Sequence, residues 1–265
     1  MPRAIGRAVR GVLLDIDGTL LAGEEAIPGA SAAVATLRRR GLAIRCLTNA
    51  SNRSRVTVCR QLEAAGFDLS PAEVISAPVA VAGWLRRQGS PRCFFLATGD
   101  VEEDFLGVRP PAPPLAKTDY VVIGGAEENF TYENMNRAYR YLLGGAKLLA
   151  IHRQPSWLTD AGPTLDAGAF IAGLEYATGA RAQLFGKPAP ALFRQALHDL
   201  QLPASAVAMV GDDIRSDVWG AQRVGITGIL VRTGKFKPSD LTGRVTPDIV
   251  ISSIADFPSA ILTVS

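Results

Sequence analysis

The chain has 265 residues, 48% of them hydrophobic, and a formal net charge of +3. That length can bury a full core in one large or two modest domains, while so slight a charge does not predict nucleic-acid binding. No apolar run approaches the roughly 20 residues of a membrane helix, and Cys46, Cys59 and Cys93, odd in number and widely spaced, fit reduced thiols in a cytoplasmic protein better than a disulfide framework.

The first ten residues are basic, but the apolar stretch that follows is broken by Asp15 and Asp17 and is too short for a signal core. Residues 11–14 read as a buried strand that ends in Asp15-Ile16-Asp17-Gly18. Side chains alternate along a strand, so the carboxylates of Asp15 and Asp17 converge only if the backbone curls directly after Asp15. Two like charges about 4 Å apart repel by roughly 1 to 4 kcal/mol and call for a cation, a shared proton, or both. An Asp-x-Asp-Gly string by itself is equally compatible with a turn or helix-capping pair.

Residues 28–40 read as a helix closed by Gly41, and the strand at 42–47 leads through Thr48-Asn49-Ala50-Ser51 into a helix from about Arg53 that Gly66 ends. That βαβ beginning implies a parallel sheet with right-handed crossovers. From about Val79 the alternation continues in another unit. It has a helix at 79–88, a strand at 92–97, a Pro-rich loop at 109–114, a strand at 120–124, a helix at 131–143, a strand at 147–151 and a helix at 167–178. Near Ala182 the chain returns to the first unit, whose sheet is completed by strands at Gln183, Val207, Ile226 and Ile249. The predicted division is therefore 1–78 for the first part of the core, 79–183 for an inserted cap and 184–265 for the second part of the core.

Several polar groups fall at strand ends. Asp212 and Asp213 follow the apolar run 206–211, and Asp217 starts a helix beyond it, where capping that helix is an equal alternative to a place in the site. In an open parallel sheet the carboxyl ends of the strands form one rim, and ligands bind there. An all-oxygen cluster suits Mg²⁺, which takes one or two carboxylates, waters and substrate phosphate. Thr48 and Asn49 offer a hydroxyl and an amide at a helix start, and Lys187 in Phe185-Gly186-Lys187-Pro188 stands where a short strand stops.

Asp15-Ile16-Asp17-Gly18-Thr19, Thr48-Asn49, Lys187 and Gly211-Asp212-Asp213 with Asp217 resemble, in order and spacing, the four signature motifs of the haloacid dehalogenase-like (HAD) superfamily of aspartate-nucleophile phosphatases. The long gap between the second and third motifs resembles the large C2 cap of its NagD-type subfamily, and Asn134-Met135-Asn136, Leu174-Glu175-Tyr176-Ala177, Gly220-Ala221-Gln222-Arg223 and Thr233-Gly234-Lys235 extend the likeness. The resemblance implies an α/β fold, a Rossmann-like parallel-sheet core with an inserted α/β cap. It also implies a Mg²⁺-dependent phosphatase acting on a small phosphorylated substrate, and a homodimer formed through the cap.

The chemistry of phosphoryl transfer fits roles to the same residues. It needs an in-line nucleophile, positive charge on the equatorial oxygens and a proton for the departing alkoxide. Asp15, ending its strand, is the expected nucleophile, and Asp17 the acid that protonates the leaving group and later deprotonates water. Asp15, the main-chain carbonyl of Asp17 and Asp212 are the expected metal ligands, with Asp213 and Asp217 positioning metal-bound water or the lysine. Thr48, Asn49 and Lys187 would cradle the transferring group. A phosphoacceptor or partner-binding protein with little turnover is the competing function; Asp17, placed to activate water, argues against it.

An insertion between Thr48 and Lys187 must leave and re-enter the core beside that rim, which casts it as a lid. The stretch 152–160 reads as an irregular loop in which Arg153 could meet an anion and Trp157 a ring or sugar; a solvated loop over a part-buried tryptophan is the plainer reading. His198 reads as a helix-surface residue, the Pro-rich loop as a surface connection, and Tyr132, Tyr139 and Tyr141 as packing or a cap-to-cap contact.

Overall fold

The computed structural model describes residues 9–89, 91–107, 117–159 and 162–261, with the side chains of 157–159 excepted. The Pro-rich stretch 109–114, most of the basic amino terminus, Asp160 and the side chain of Trp157 lie outside the described residues. Two compact units divide the chain. The first takes the described residues of Met1–Thr48, Val56–Ile75 and Lys187–Ser265, the second those of Asn49–Arg55 and Ser76–Gly186.

The first unit is built on a six-stranded sheet in the order Ile249–Ile251, Thr227–Val231, Val207–Gly211, Gly11–Asp15, Ala43–Thr48, Val74–Ser76. Gly11–Asp15 pairs in parallel with a strand on each side, Leu13 opposite Met209 and Arg45, and Asp15 opposite Leu47. All five of its residues are buried, the continuous apolar reading expected of a strand covered on both faces. The chain leaves this strand for a neighbour on one side early and returns on the other side late, so the switch in strand order falls at Asp15, the position where open α/β sheets bind ligands.

Helix Ala30–Arg39 buries Ala30, Ala33, Val34 and Leu37, one face at i, i+3, i+4 and i+7. It ends where the spacing predicts, with Arg38 and Arg39 in the last turn and Gly41 at φ 77° just beyond. The edge strand Val74–Ser76 was not anticipated, because three residues are too few to carry a readable alternation.

The second unit has its own four-stranded parallel sheet, ordered Gln183–Leu184, Lys147–Ala150, Tyr120–Ile123, Cys93–Leu96. The strand at Gln183 therefore belongs here and not to the first sheet: Gln183 and Leu184 pair with Leu149 and Ala150, and Phe185 packs its ring 5.7 Å from that of Trp84. Helices Tyr132–Leu143 and Ala167–Thr178 cover Phe94, Leu96, Val121, Ile123 and Leu148. Tyr141 is buried against Phe94, whereas Tyr132 is 86% exposed.

The stretch 152–160 is more regular than its composition suggests. Ser156–Thr159 pairs antiparallel with Gly162–Leu165, and the solvent exposure of Pro163, Thr164 and Leu165 explains why no apolar alternation announced the hairpin. The boundaries of the second unit fall at Ser76 and Gly186, against 79 and 183 from sequence. Asn49–Arg55 joins it because Ser54 bonds the carboxylate of Asp100 through both its amide and its hydroxyl, at 2.7 Å each, and the amide of Arg55 donates to Asp104 at 3.1 Å.

Candidate functional site

The strand Gly11–Asp15 stops because the next residues close a tight turn. The Ile16 carbonyl accepts from the amides of Leu20 and Leu21 at 2.8 and 2.9 Å, and Gly18 sits at φ 87°. A side chain on Gly18 would strike the carboxylate of Asp212 as well as the backbone of Gly234, 2.9 Å away, so glycine is required there by space and by conformation. The turn leaves Asp15 buried and Asp17 exposed.

Asp15, Asp212 and Asp217, all buried, bring one carboxylate oxygen each to within 4.8 Å of one another. Lys187 lies among them: its ammonium donates to Asp15 Oδ1 and to the Leu47 carbonyl at 3.3 Å, and pairs with Asp217 Oδ1 at 2.7 Å. Asp212 directly follows the strand Val207–Gly211, and a Cβ on its neighbour Gly211 would collide with the side chain of Asp217. Asp212 Oδ2 accepts from the amide of Lys235 at 2.6 Å, while its Oδ1 is buried with no hydrogen bond among the described residues.

The two acids that follow Asp212 make different contacts. Asp213 is the cap of the helical segment Ile214–Trp219, its Oδ1 accepting from the amides of Arg215 and Ser216 at 2.9 Å each. Asp217 turns inward, accepting from the Asp213 amide at 3.1 Å as well as pairing with Lys187. Thr48, buried at the end of Ala43–Thr48, stands in the first unit; Asn49 begins the second.

Electrostatics follow burial. Loss of water raises the carboxyls of Asp15 and Asp212, partly offset by Lys187 at the first and chiefly by the Lys235 amide at the second. Burial beside the charge of Asp15 pushes Asp217 up to about 7. The Lys187 ammonium is held above its usual range, because its two carboxylate partners outweigh the cost of burying it. Burial would raise Asp213 too, yet the two amides it caps hold it below the usual carboxylate range.

Fully ionised, three buried carboxylates against one ammonium would leave two negative charges in excess, and burial of unpaired charge is expensive. The orphaned Oδ1 of Asp212 and the all-oxygen donor set fit a hard divalent cation.

A clamp on this site went unassigned in the sequence. Thr233 Oγ1 donates to the Gly18 carbonyl at 2.6 Å, the Lys235 amide fixes Asp212, and Gly234 between them adopts φ 59° against the Gly18 backbone. Its signal was position: Thr-Gly-Lys comes one residue after the strand Thr227–Val231, at the same rim as the acids. Arg153, in contrast, is not offered to an anion, since it grips Glu175 through two bonds of 3.2 and 2.5 Å. His198 is exposed on helix Pro190–Leu200, and the three cysteines are buried and unbridged.

Residues 12–108 match the family model described as haloacid dehalogenase-like hydrolase, and residues 184–257 a second one described as HAD-hydrolase-like. The chain is 38% identical over 258 residues to mouse haloacid dehalogenase-like hydrolase domain-containing protein 2, covering 97% of this chain and 96% of that one. It is 40% identical over 238 residues to human phospholysine phosphohistidine inorganic pyrophosphate phosphatase, covering 88% and 86%. Among solved structures, 4-nitrophenylphosphatase from Thermotoga maritima superposes with a TM-score of 0.85 at 29% identity, over 96% of this chain and 97% of that one. With acids, lysine and switch point assembled at one sheet edge and likeness along nearly the whole length, the chain belongs to the haloacid dehalogenase-like hydrolase family.

Proposed function

We propose that this protein is a Mg²⁺-dependent phosphatase that hydrolyses a small phosphomonoester through an aspartyl-phosphate on Asp15. One observation carries the reading. Lys187 joins Asp15 to Asp217 in a buried cluster where Asp212 keeps a carboxylate oxygen without a hydrogen bond among the described residues. Such a cluster is an unfavourable way to build a sheet edge and a favourable way to receive a cation and a phosphoryl group. Two relatives support the activity by name, the human phosphatase at 40% identity and the Thermotoga enzyme at 29%.

The chain's own groups divide the reaction as follows. Lys187 orients the Asp15 carboxylate and places positive charge beside the transferring group. Asp15 forms an oxygen–phosphorus bond as the ester oxygen–phosphorus bond breaks, and Asp17, exposed at the turn, gives its proton to the departing alkoxide. Asp17 then takes a proton from the water that attacks the acyl phosphate, releasing inorganic phosphate and restoring Asp15. Thr48 and Asn49 supply donors to the phosphoryl oxygens. Asp15, Asp212 and the Asp17 main-chain carbonyl would hold Mg²⁺, with Asp217 and the capping Asp213 supporting them, and the ion would offset charge on the attacking and phosphoryl oxygens.

Phosphate release from a panel of phosphorylated metabolites, with and without Mg²⁺, tests this. Asp15→Asn should abolish turnover, and Asp17→Asn should either trap a covalent phosphoryl adduct visible by mass or fail to react. Near wild-type turnover in both variants would refute the assigned roles. A homodimer through the second unit, which exposes Tyr132 and Tyr176, is the accompanying proposal, read by light scattering of the purified chain.

A further inference from the structure

A cavity of about 550 Å³ opens within the first unit, between the helical segment Ile214–Trp219 and the stretch 239–245. Its wall includes Ile214, Arg215, Trp219, Asp240, Arg244 and Val245, and none of the three acids of the buried cluster. Arg215 and Trp219 are four residues apart and share one face of the segment. Asp217, midway between them, turns to the opposite side and pairs with Lys187 at 2.7 Å.

Exposed arginines are ordinary on a protein surface. Here two of them line the same concavity, and neither guanidinium makes an ion pair or a hydrogen bond among the described residues. Asp240 is the one acid in that wall among the described residues, and its Oδ2 is engaged by the Lys237 amide at 2.7 Å, so the lining keeps an excess of positive charge. Trp219 gives a second, independent sign, a large apolar side chain left 36% exposed. The Arg223 guanidinium lies over its ring, 4.7 Å from the centroid, yet Arg223 is not in the wall; the indole surface that faces the cavity is the part Arg223 leaves bare.

We propose that this cavity is a second ligand site, separate from the acid cluster, for a planar heteroaromatic ring that carries a phosphate, the chemistry of a nucleoside monophosphate. A guanidinium fork meets phosphate oxygens two at a time, and two forks suit a dianion. Trp219, with Ile214 and Val245 in the same wall, gives the ring an apolar surface to lie against. The volume falls in the range of small-molecule sites, about 300–1,000 Å³. The proposal does not rest on the phosphatase reading, since it concerns binding alone.

Two-dimensional NMR of the full chain in EDTA tests this, with Trp219→Phe assigning the indole N–H signal of Trp219. Adenosine monophosphate should shift that signal saturably, and ribose phosphate, which lacks the ring, should bind about tenfold more weakly. The double variant Arg215→Gln/Arg244→Gln, changed at two exposed positions outside the acid cluster, should bind adenosine monophosphate about tenfold more weakly than wild type. Asp15→Asn should bind it as wild type does. An unmoved indole signal, ribose phosphate binding as tightly as adenosine monophosphate, or an affinity within about twofold of wild type in the arginine variant would overturn the proposal. So would loss of the shift in Asp15→Asn, which would put the nucleotide on the acid cluster. Absence of phosphate release with this binding intact would instead sink the phosphatase reading and leave the second site standing.

Discussion

Replacing Asp217 with Asn removes one charge from a buried cluster and should change how stability depends on pH. Burial beside Asp15 raises this carboxyl from 3.8 to about 7, equivalent to about 4 kcal/mol of instability once it is fully ionised. In the unfolded chain the group ionises near its ordinary value, so between about pH 4 and pH 7 the folded chain binds the extra proton. Stability therefore falls as pH rises through that window and levels off above it. From about pH 5 to about pH 8 the wild type should lose about 2–3 kcal/mol through this group, and Asp217→Asn should not share that loss. Urea denaturation of both proteins at several pH values in EDTA measures the difference. Excess Mg²⁺ should shrink the wild-type decline, because a cation bound to ionised carboxylates stabilises the folded form. A wild-type-to-variant difference that stays constant across the pH range would refute both the burial argument and the charge crowding on which the site rests.

Three further outcomes follow from particular contacts. Lys187→Met leaves Asp15 and Asp217 without their shared cation and should cost about 3–5 kcal/mol in EDTA, read by chemical denaturation, with turnover abolished. Gly234→Ala sets a Cβ 2.6 Å from the Gly18 backbone at φ 59°; differential scanning calorimetry should show a lower Tm, and titration calorimetry weaker Mg²⁺ binding through a displaced Asp212. Glu175→Ala removes the acceptor for both Arg153 and the Ala182 amide. It should lower stability by about 1–3 kcal/mol in urea, whereas Arg153→Ala, losing a side chain 41% exposed, should cost under about 1 kcal/mol.

The sequence by itself determined the alternating α/β architecture and set acids, a threonine and a lysine at the ends of apolar runs. Apolar strands such as Gly11–Asp15 are continuous runs, helix faces such as that of Ala30–Arg39 repeat at 3.6, and each run ends where an acid, a threonine or a glycine interrupts it. These are local signals, and a parallel sheet turns them into shared position at one edge.

Only the tertiary structure decided which acid caps its own segment and which faces the lysine. Asp213 and Asp217 are equivalent to a reader of sequence, four residues apart on one turn of chain. In the fold the first is bound by amides of its own segment and the second faces a lysine 30 residues earlier. The same holds for the clamp of Thr233, Gly234 and Lys235 and for the sheet that claims Gln183. Each depends on partners distant in the chain, and distance in sequence carries no information about direction in space until the core has packed.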